Sequence, residues 1–359
     1  MPGFAEQTRR WSYDRQRLGR QAPDAETALR TVVGVYSSHP SAPLSLLART
    51  RNFDATSFRR LDAERRALRL PAMRGSIHLL PRETAHLAFR AVPEPPSSFK
   101  QRLRYFGIPE GRYPELRETI LAAADRPRTA RELGRMLRQK TGHEGSPTPL
   151  LGGTCRDGAL LRVGAEGPRS NALRYVATRA WLGADLPGAD ADEALTWLAG
   201  AYLRAFGPAR PEDFRWWAGV SKGRAIAALE NVETAEPEDG YLLLAEDSEA
   251  FEQAQVPDPD AVDVLPKWDC YTMGYAADGR WRFVHPDVQA RVYTPAGDGL
   301  GVVLVGGQAV ASWEARFSGR VMEIRADMFE SPGARLEETI EDRFGEVAAF
   351  LGAREVRFS

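Results

Sequence analysis

Apolar residues in the first quarter of the chain recur at helical spacing in three short stretches and then alternate over a fourth. Asp24 is placed to cap the first helix, which Gly34 ends. Pro40 suits the first turn of the second helix, and Asp54 caps the third. Residues 74–80 alternate as in a short strand, with another helix after them. Three helices and a strand in this order predict a winged helix.

A second copy of this outline follows a proline-rich link at residues 92–96. Thr129 and Glu132 have the spacing of a capping box, in which each side chain binds the backbone amide of the other. The predicted elements are helices at 114–124, 130–140 and 149–157 and strands at 159–163 and 173–176, with a wing loop from 164 to 171. We therefore expect a second winged helix.

A third copy begins at Asp192, where helical spacing continues until Gly207-Pro208 interrupts it. A short helix from Pro211 ends at Gly219, and Ser221 is placed to cap the next helix. Two helices joined by so short a turn are typical of a helix-turn-helix.

Beyond Tyr241 the pattern becomes that of strands. The predicted elements are strands at 301–305, 308–317 and 320–326, a helix at 334–351 and a final strand at 356–358. They suggest a small β-barrel closed against one helix. The fold class is then α+β, with an N-terminal arm and first winged helix at 1–92, a second at 93–185, a third at 186–240 and a β-barrel-like domain at 241–359.

The 359 residues include no long apolar run and no apolar N-terminal stretch of signal-peptide type, so a cytoplasmic protein is expected. Cys155 and Cys270 lie far apart in sequence and cannot form a zinc site by themselves. Neither a metal nor another cofactor is expected.

Charge is divided between the two halves of the chain. Residues 1–180 contain 32 Lys and Arg against 17 Asp and Glu, a balance of +15, whereas residues 181–359 have a balance of −16. A basic half attracts polyanions, which makes nucleic acid the leading partner. The alternative is that charge segregates between domains by chance.

Several short motifs, in order, resemble the AlkZ/YcaQ-type winged-helix DNA glycosylases. They are residues 29–49 with central Gly34-Val35, residues 73–79, residues 206–209 and 212–219, residues 265–269, Gly274-Tyr275, and residues 302–313. The resemblance covers most of the chain beyond residue 24. It implies three winged helices and a barrel around a DNA channel, acting as a nucleoid-associated monomer on damaged duplex DNA to hydrolyse the N-glycosidic bond of bulky N7- or N3-alkylated purines.

The family carries Gln-x-Gln or Gln-x-Asp directly after the Gly-Val pair, whereas this chain has Tyr36-Ser37-Ser38 followed by His39. Hydrolysis needs a positioned water and a group that stabilises positive charge on the sugar. Tyr36, Ser38 and His39 are the candidate replacements, with His39 as the general base. Equally, Ser38 or His39 suits a helix N-cap and Tyr36 a packing role.

No carboxylate lies between Thr27 and Asn52. Asp269, in the Leu-Pro-x-x-Asp element, is the candidate carboxylate, although it also suits binding of backbone amides in a turn.

The candidate DNA-binding residues combine positive charge with positions in the family motifs. They are Arg49, Arg51, Arg74, His78 and, in an expected hairpin after Gly279, Arg280 and Arg282. Structural or solvent-facing roles are the alternative for each.

Two functions remain open from the sequence. A glycosylase must use substitute chemistry at residues 36–39. The alternative is a non-catalytic DNA-binding protein, either a regulator or a lesion-sequestering protein, and such a protein is expected to lack the glutamines. A metal nuclease ranks third because the basic half has no acidic cluster.

Overall fold

The computed structural model describes residues 3–164, 167–170 and 172–358. It is an α+β structure that opens with helix α1 (Phe4–Arg15), where the sequence predicted only an arm. The helix has little apolar content, so the sequence pattern did not indicate it, yet Trp11 and Tyr13 are buried.

The next elements follow the first predicted outline and add two strands to it. The elements are α2 (Ala25–Thr31), β1 (Val35–Tyr36), α3 (Ala42–Leu47), α4 (Ala55–Ala63), β2 (Ala67–Pro71), β3 (Ile77–Pro81) and α5 (Ala85–Ala91). The two additions are the strands β1 and β2. The caps are confirmed, because the Asp24 and Asp54 carboxylates accept from the amides of Thr27 and Ser57. Strand β2 was missed because all five of its residues are buried and show no alternation.

The predicted start of α3 was wrong. The N-cap is Ser41, not Ser38 or His39, and Pro43 rather than Pro40 occupies the first turn. Ser38 instead accepts a hydrogen bond on Oγ from the amide of Ile77 at 3.2 Å, which attaches the loop after β1 to the start of β3.

The second group of elements begins with a helix that the sequence did not predict. It comprises α6 (Pro96–Tyr105), α7 (Tyr113–Ala123), α8 (Ala130–Thr141), α9 (Thr148–Arg156), β4 (Leu160–Val163), β5 (Arg174–Ala177) and α10 (Thr178–Leu182). The capping box of Thr129 and Glu132 is confirmed. Of the predicted wing loop, residues 165, 166 and 171 lie outside the described residues.

Strands from these two groups form one antiparallel sheet in the order β1-β3-β2-β4-β5. The link between them is the pairing of Arg69 in β2 with Arg162 in β4. The shared sheet fixes the N-terminal segment relative to the second one.

The third group has three helices followed by a hairpin. It comprises α11 (Ala191–Phe206), α12 (Pro211–Ala218), α13 (Lys222–Glu230), β6 (Thr234–Glu238), β7 (Tyr241–Leu244) and the short α14 (Ser248–Glu252). Gly219 ends α12 in the left-handed conformation, and Ser221 caps α13 as predicted. Helix α1 packs against α11 and α14, so the start of the chain lies beside this third group.

The C-terminal sheet is open, in the order β12-β11-β10-β9-β8. Its elements, with the helices that accompany them, are β8 (Val262–Leu265), α15 (Gln289–Val292), β9 (Gly301–Val305), β10 (Gln308–Ser318), β11 (Val321–Met328), α16 (Ala334–Phe350) and β12 (Glu355–Phe358). Edge strands β12 and β8 do not pair within the described chain, so the closed barrel expected from the sequence is not formed. Trp313 of β10 packs on Phe344 of α16, with ring centroids 5.3 Å apart.

Candidate functional site

A pocket of about 190 Å³ lies where β1 and β3 meet the two ends of the β8–β9 connection. It exceeds the roughly 150 Å³ of an engineered cavity that takes up benzene, so a planar ring has room in it. The lining residues with functional side chains are Tyr36, Arg74, His78, Trp217, Trp268 and Asp298.

Tyr36 is the centre of an aromatic group along one side of the pocket. Its pairing with His78 across β1 and β3 puts the two side chains on the same face of the sheet. The Tyr36 ring centroid is 6.0 Å from that of His78 and 5.3 Å from that of Trp268. Within the described chain its hydroxyl makes no hydrogen bond, so a ligand in the pocket can reach it.

His78 is neutral at physiological pH. Its Nδ1 lies 3.0 Å from the carbonyl oxygen of Ser76, an acceptor, so Nδ1 must carry the proton and Nε2 the lone pair. Burial lowers the pKa of His78 to about 4, although the hydrogen bond to Ser76 by itself would raise it. The residue predicted to bind DNA beside Arg74 therefore brings a hydrogen-bond acceptor rather than a positive charge.

Trp268 and Asp298 are hydrogen-bonded to each other where the β8–β9 connection lines the pocket. The Trp268 amide donates to the carbonyl of Gly299 at 3.1 Å, and its indole Nε1 donates to Asp298 Oδ1 at 3.2 Å. Two residues at this pocket, Trp268 and Arg74, have left-handed backbones with φ of 58° and 57°. Such conformations cost free energy in non-glycine residues and cluster at functional sites.

Gly34 is required at the base of the pocket. A Cβ at this position would lie 2.6 Å from Leu80 Cδ2 and 2.8 Å from the carbonyl oxygen of Leu79. Only glycine lets β1 approach β3 so closely, which explains the Gly-Val pair seen in the sequence.

The candidate catalytic residues are not all in the same place. Tyr36 lines the pocket, whereas His39 lies against Trp268, with ring centroids 4.9 Å apart, and lines a neighbouring apolar groove. Burial and the positive charge of Lys267 lower the pKa of His39. Ser38 is occupied by the amide of Ile77.

Asp269 does not line the pocket. It is fully buried in an ion pair with Arg49, whose guanidinium nitrogens lie 2.8 and 2.7 Å from its two oxygens. It also accepts from the amide of Tyr271 at 2.9 Å, the turn-binding role that the sequence left open. Arg49 is correspondingly withdrawn from the surface.

The segment predicted as a hairpin after Gly279 is a 3-10 helix, Ala277–Arg282. Arg282 is fully buried and donates to backbone carbonyls, among them those of Gly279 and Pro208 at 3.0 Å. It therefore braces the interior, where no phosphate can reach it.

The remaining predicted arginines differ in their surroundings. Arg51 is exposed but lines a groove with Asp258 and Asp260. Arg74 is exposed at the rim of the pocket, with its guanidinium carbon 4.5 Å from the centroid of Trp216. Arg280 lies 5.3 Å from the same ring, so the two cations share one indole.

Arg280 is 5% exposed and has no acidic partner among the described ion pairs. Its guanidinium carbon is 3.7 Å from the ring centroid of Tyr293. Burial, with the positive charge of Arg74, lowers the pKa of Arg280. The charge of Asp213 acts in the opposite direction but without an ion-pair contact, so this desolvated cation is a candidate to bind an anion.

Two other kinds of site find no support in the described residues. No group of three or more His, Cys, Asp and Glu in them is arranged to hold a metal ion. Cys270 lines the pocket, but burial raises its pKa, so it remains a thiol rather than a nucleophilic thiolate.

No helix in the described part of the chain is both long and apolar enough to cross a membrane.

An α+β fold with a basic N-terminal half and an aromatic pocket that accommodates a planar ring fits a protein that acts on nucleic acid. A profile of the family described as "DNA glycosylase AlkZ-like" matches residues 18–350, and the chain belongs to this family. The fold is similar to that of the solved structure of the Streptomyces sahachiroi DNA glycosylase AlkZ, with a TM-score of 0.76 and 22% identity over 100% of both chains. A search of curated proteins gave no significant match.

The sequence patterns did not predict that Asp298 and Trp268 line a pocket. Asp298 follows Gly297 in a turn and belongs to none of the motifs that carried the resemblance, so no pattern distinguished it from a turn-forming aspartate. Trp268 adjoins Asp269 in such a motif. However, the ion pair that holds Asp269 is made with Arg49, 220 positions away, so the position of this segment could not be predicted from local sequence.

Proposed function

We propose that this protein binds damaged duplex DNA as a monomer and hydrolyses the N-glycosidic bond of bulky N7- or N3-alkylated purines. The observation that carries the proposal is the pocket bounded by Tyr36, His78 and Trp268, which has the size and aromatic lining to hold an extruded base. Membership of a DNA glycosylase family supports the same reaction.

The architecture supports DNA binding by the N-terminal half. We interpret residues 1–92, 93–185 and 186–240 as winged-helix units, since in each at least three helices precede a strand pair, the last of which is completed by β7 just beyond residue 240. Residues 241–359 form the barrel-like domain, whose loops complete the pocket.

Arg74 and Arg280 are the arginines best placed to hold a phosphate beside the extruded base. Both lie against Trp216 next to the pocket, and neither forms an ion pair with a carboxylate among the described residues. A phosphodiester would supply the missing negative charge.

A second candidate is binding of lesions without cleavage. It is favoured by Tyr36 and Ser38, which stand where the family has an amide followed by an amide or carboxylate and can supply only hydroxyl groups. Such a protein would keep the pocket and lose the reaction.

The two candidates are separated by incubating the purified protein with duplexes that carry one N7-methylguanine or one N7 nitrogen-mustard adduct. Released base is measured by mass spectrometry against spontaneous loss without protein, and affinity by fluorescence anisotropy. Release faster than the spontaneous rate supports the glycosylase. Preferential binding of the damaged duplex without release supports the second candidate, and equal binding of damaged and intact duplex without release contradicts both.

A further inference from the structure

Asp298 is the only acidic side chain among the described residues that line the aromatic pocket. It is half-buried in the turn 294–298, where its amide donates to Thr294 Oγ at 3.1 Å and the Thr294 amide returns a hydrogen bond to its carbonyl at 3.0 Å. The backbone of Asp298 is thus held by two hydrogen bonds to Thr294.

The side chain of Asp298 is also oriented. Oδ1 accepts from the indole of Trp268, while Oδ2 has no hydrogen bond or ion pair within the described chain. Trp268 in turn precedes Asp269, which is held by Arg49. One carboxylate oxygen is therefore anchored, and the other is available in the pocket.

The chemistry of the glycosidic bond requires such a group. As the bond from C1′ to the purine nitrogen breaks, its electron pair leaves with the base and positive charge develops on the sugar. A nearby carboxylate stabilises that charge, and it can also accept a proton from the water that attacks C1′.

We propose that Asp298 is the catalytic carboxylate of this protein. It takes the role of the glutamine or aspartate side chains that the family has where this chain has Tyr36-Ser37-Ser38. This inference rests on the proposed glycosylase function. Water oxygen bonds to C1′, its proton passes to Oδ2 and then to solvent, and an alkylated cationic purine leaves as the neutral base. The step needs no oxidant and no substrate other than the DNA and water.

Two neighbouring groups of the pocket are suited to orient the attacking water. Neutral His78 offers Nε2 as an acceptor, and the Tyr36 hydroxyl is a donor and acceptor at the same pocket. They can orient the water, but the described lining offers no second negative charge. Asp298 is therefore distinguished from them by charge, and its substitution should act on the chemical step.

The experiment measures single-turnover release of N7-methylguanine and of an N7 nitrogen-mustard adduct from duplex DNA. It compares the wild type with Asp298→Asn and, as a matched control, Asp287→Asn, whose side chain is 87% exposed. We expect Asp298→Asn to slow release by about 100-fold or more, as for loss of general-base catalysis. DNA affinity and melting temperature should stay at wild-type values, as should all properties of the control.

Asp298→Glu provides a second test because it restores the charge with a longer side chain. Recovery of part of the lost rate would support the proposal. Release by Asp298→Asn within threefold of an active wild type would overturn it and leave the glycosylase function standing. If the wild type itself releases no base, the proposed function fails, and this inference fails with it.

Discussion

Arg49 and Asp269 form a buried bidentate ion pair that joins the end of helix α3 to the loop after strand β8. Burial alone would lower the pKa of Arg49, but the negative charge of Asp269 outweighs it and raises the pKa above its ordinary value. Since Asp269 directly follows Trp268, the pair sets the position of one side of the pocket. Two residues predicted for separate roles at the DNA surface thus act together in the interior.

Removal of one partner of this pair should destabilise the protein strongly. Arg49→Met leaves the Asp269 carboxylate buried without its counter-charge, which should cost about 3–5 kcal/mol of unfolding free energy. Urea denaturation measures this cost, and the double variant Arg49→Met/Asp269→Leu should regain part of it. A loss below about 1 kcal/mol for the single variant would show that the pair does not stabilise the fold.

Tyr36 should contribute to the binding of damaged DNA through its ring. Tyr36→Ala removes a stacking surface worth about 1–3 kcal/mol per base, so affinity for the lesion duplex should fall roughly 5- to 150-fold. Tyr36→Phe keeps the ring and should lose much less. Anisotropy titrations of both variants test this, and equal losses would assign the effect to the hydroxyl instead.

Arg74 should affect DNA binding without affecting the fold. Arg74→Gln removes an exposed cation at the pocket rim, so the slope of log affinity against log salt should fall by about 0.9. Arg335→Gln is the control, because Arg335 is 88% exposed on α16 in the acidic half. An unchanged salt slope in Arg74→Gln would place the phosphate contact elsewhere.

His78 should make the protein less stable in mild acid. Its pKa is about 4 in the folded protein and about 6.5 in the unfolded chain, so the unfolded state binds more protons between these values. Unfolding free energy should therefore decrease as pH falls from about 6.5 to about 4, and be unaffected by this residue above that range. Urea denaturation across this range should show a smaller decrease for His78→Gln. Identical pH dependence in both proteins would contradict the assignment.

Within the second group, local patterns predicted α7 to α9, β4 and β5 but not α6, because the capping box at Thr129 and the helical spacing after it are signals within a single element. Strand β2 and the shared sheet were not predictable in this way, since their residues are buried by pairing with distant strands. The same holds for the pocket residues. The loop at Tyr36 was found from its motif, whereas Asp298 reaches the pocket only through tertiary contacts.

The most direct measurement is the rate at which an N7-alkylated guanine leaves duplex DNA under saturating protein, with DNA binding followed in the same sample. We predict release at least roughly 100-fold faster than spontaneous loss, the lower range of what one positioned acid or base supplies. Saturated binding of the damaged duplex with release no faster than in buffer would contradict this prediction.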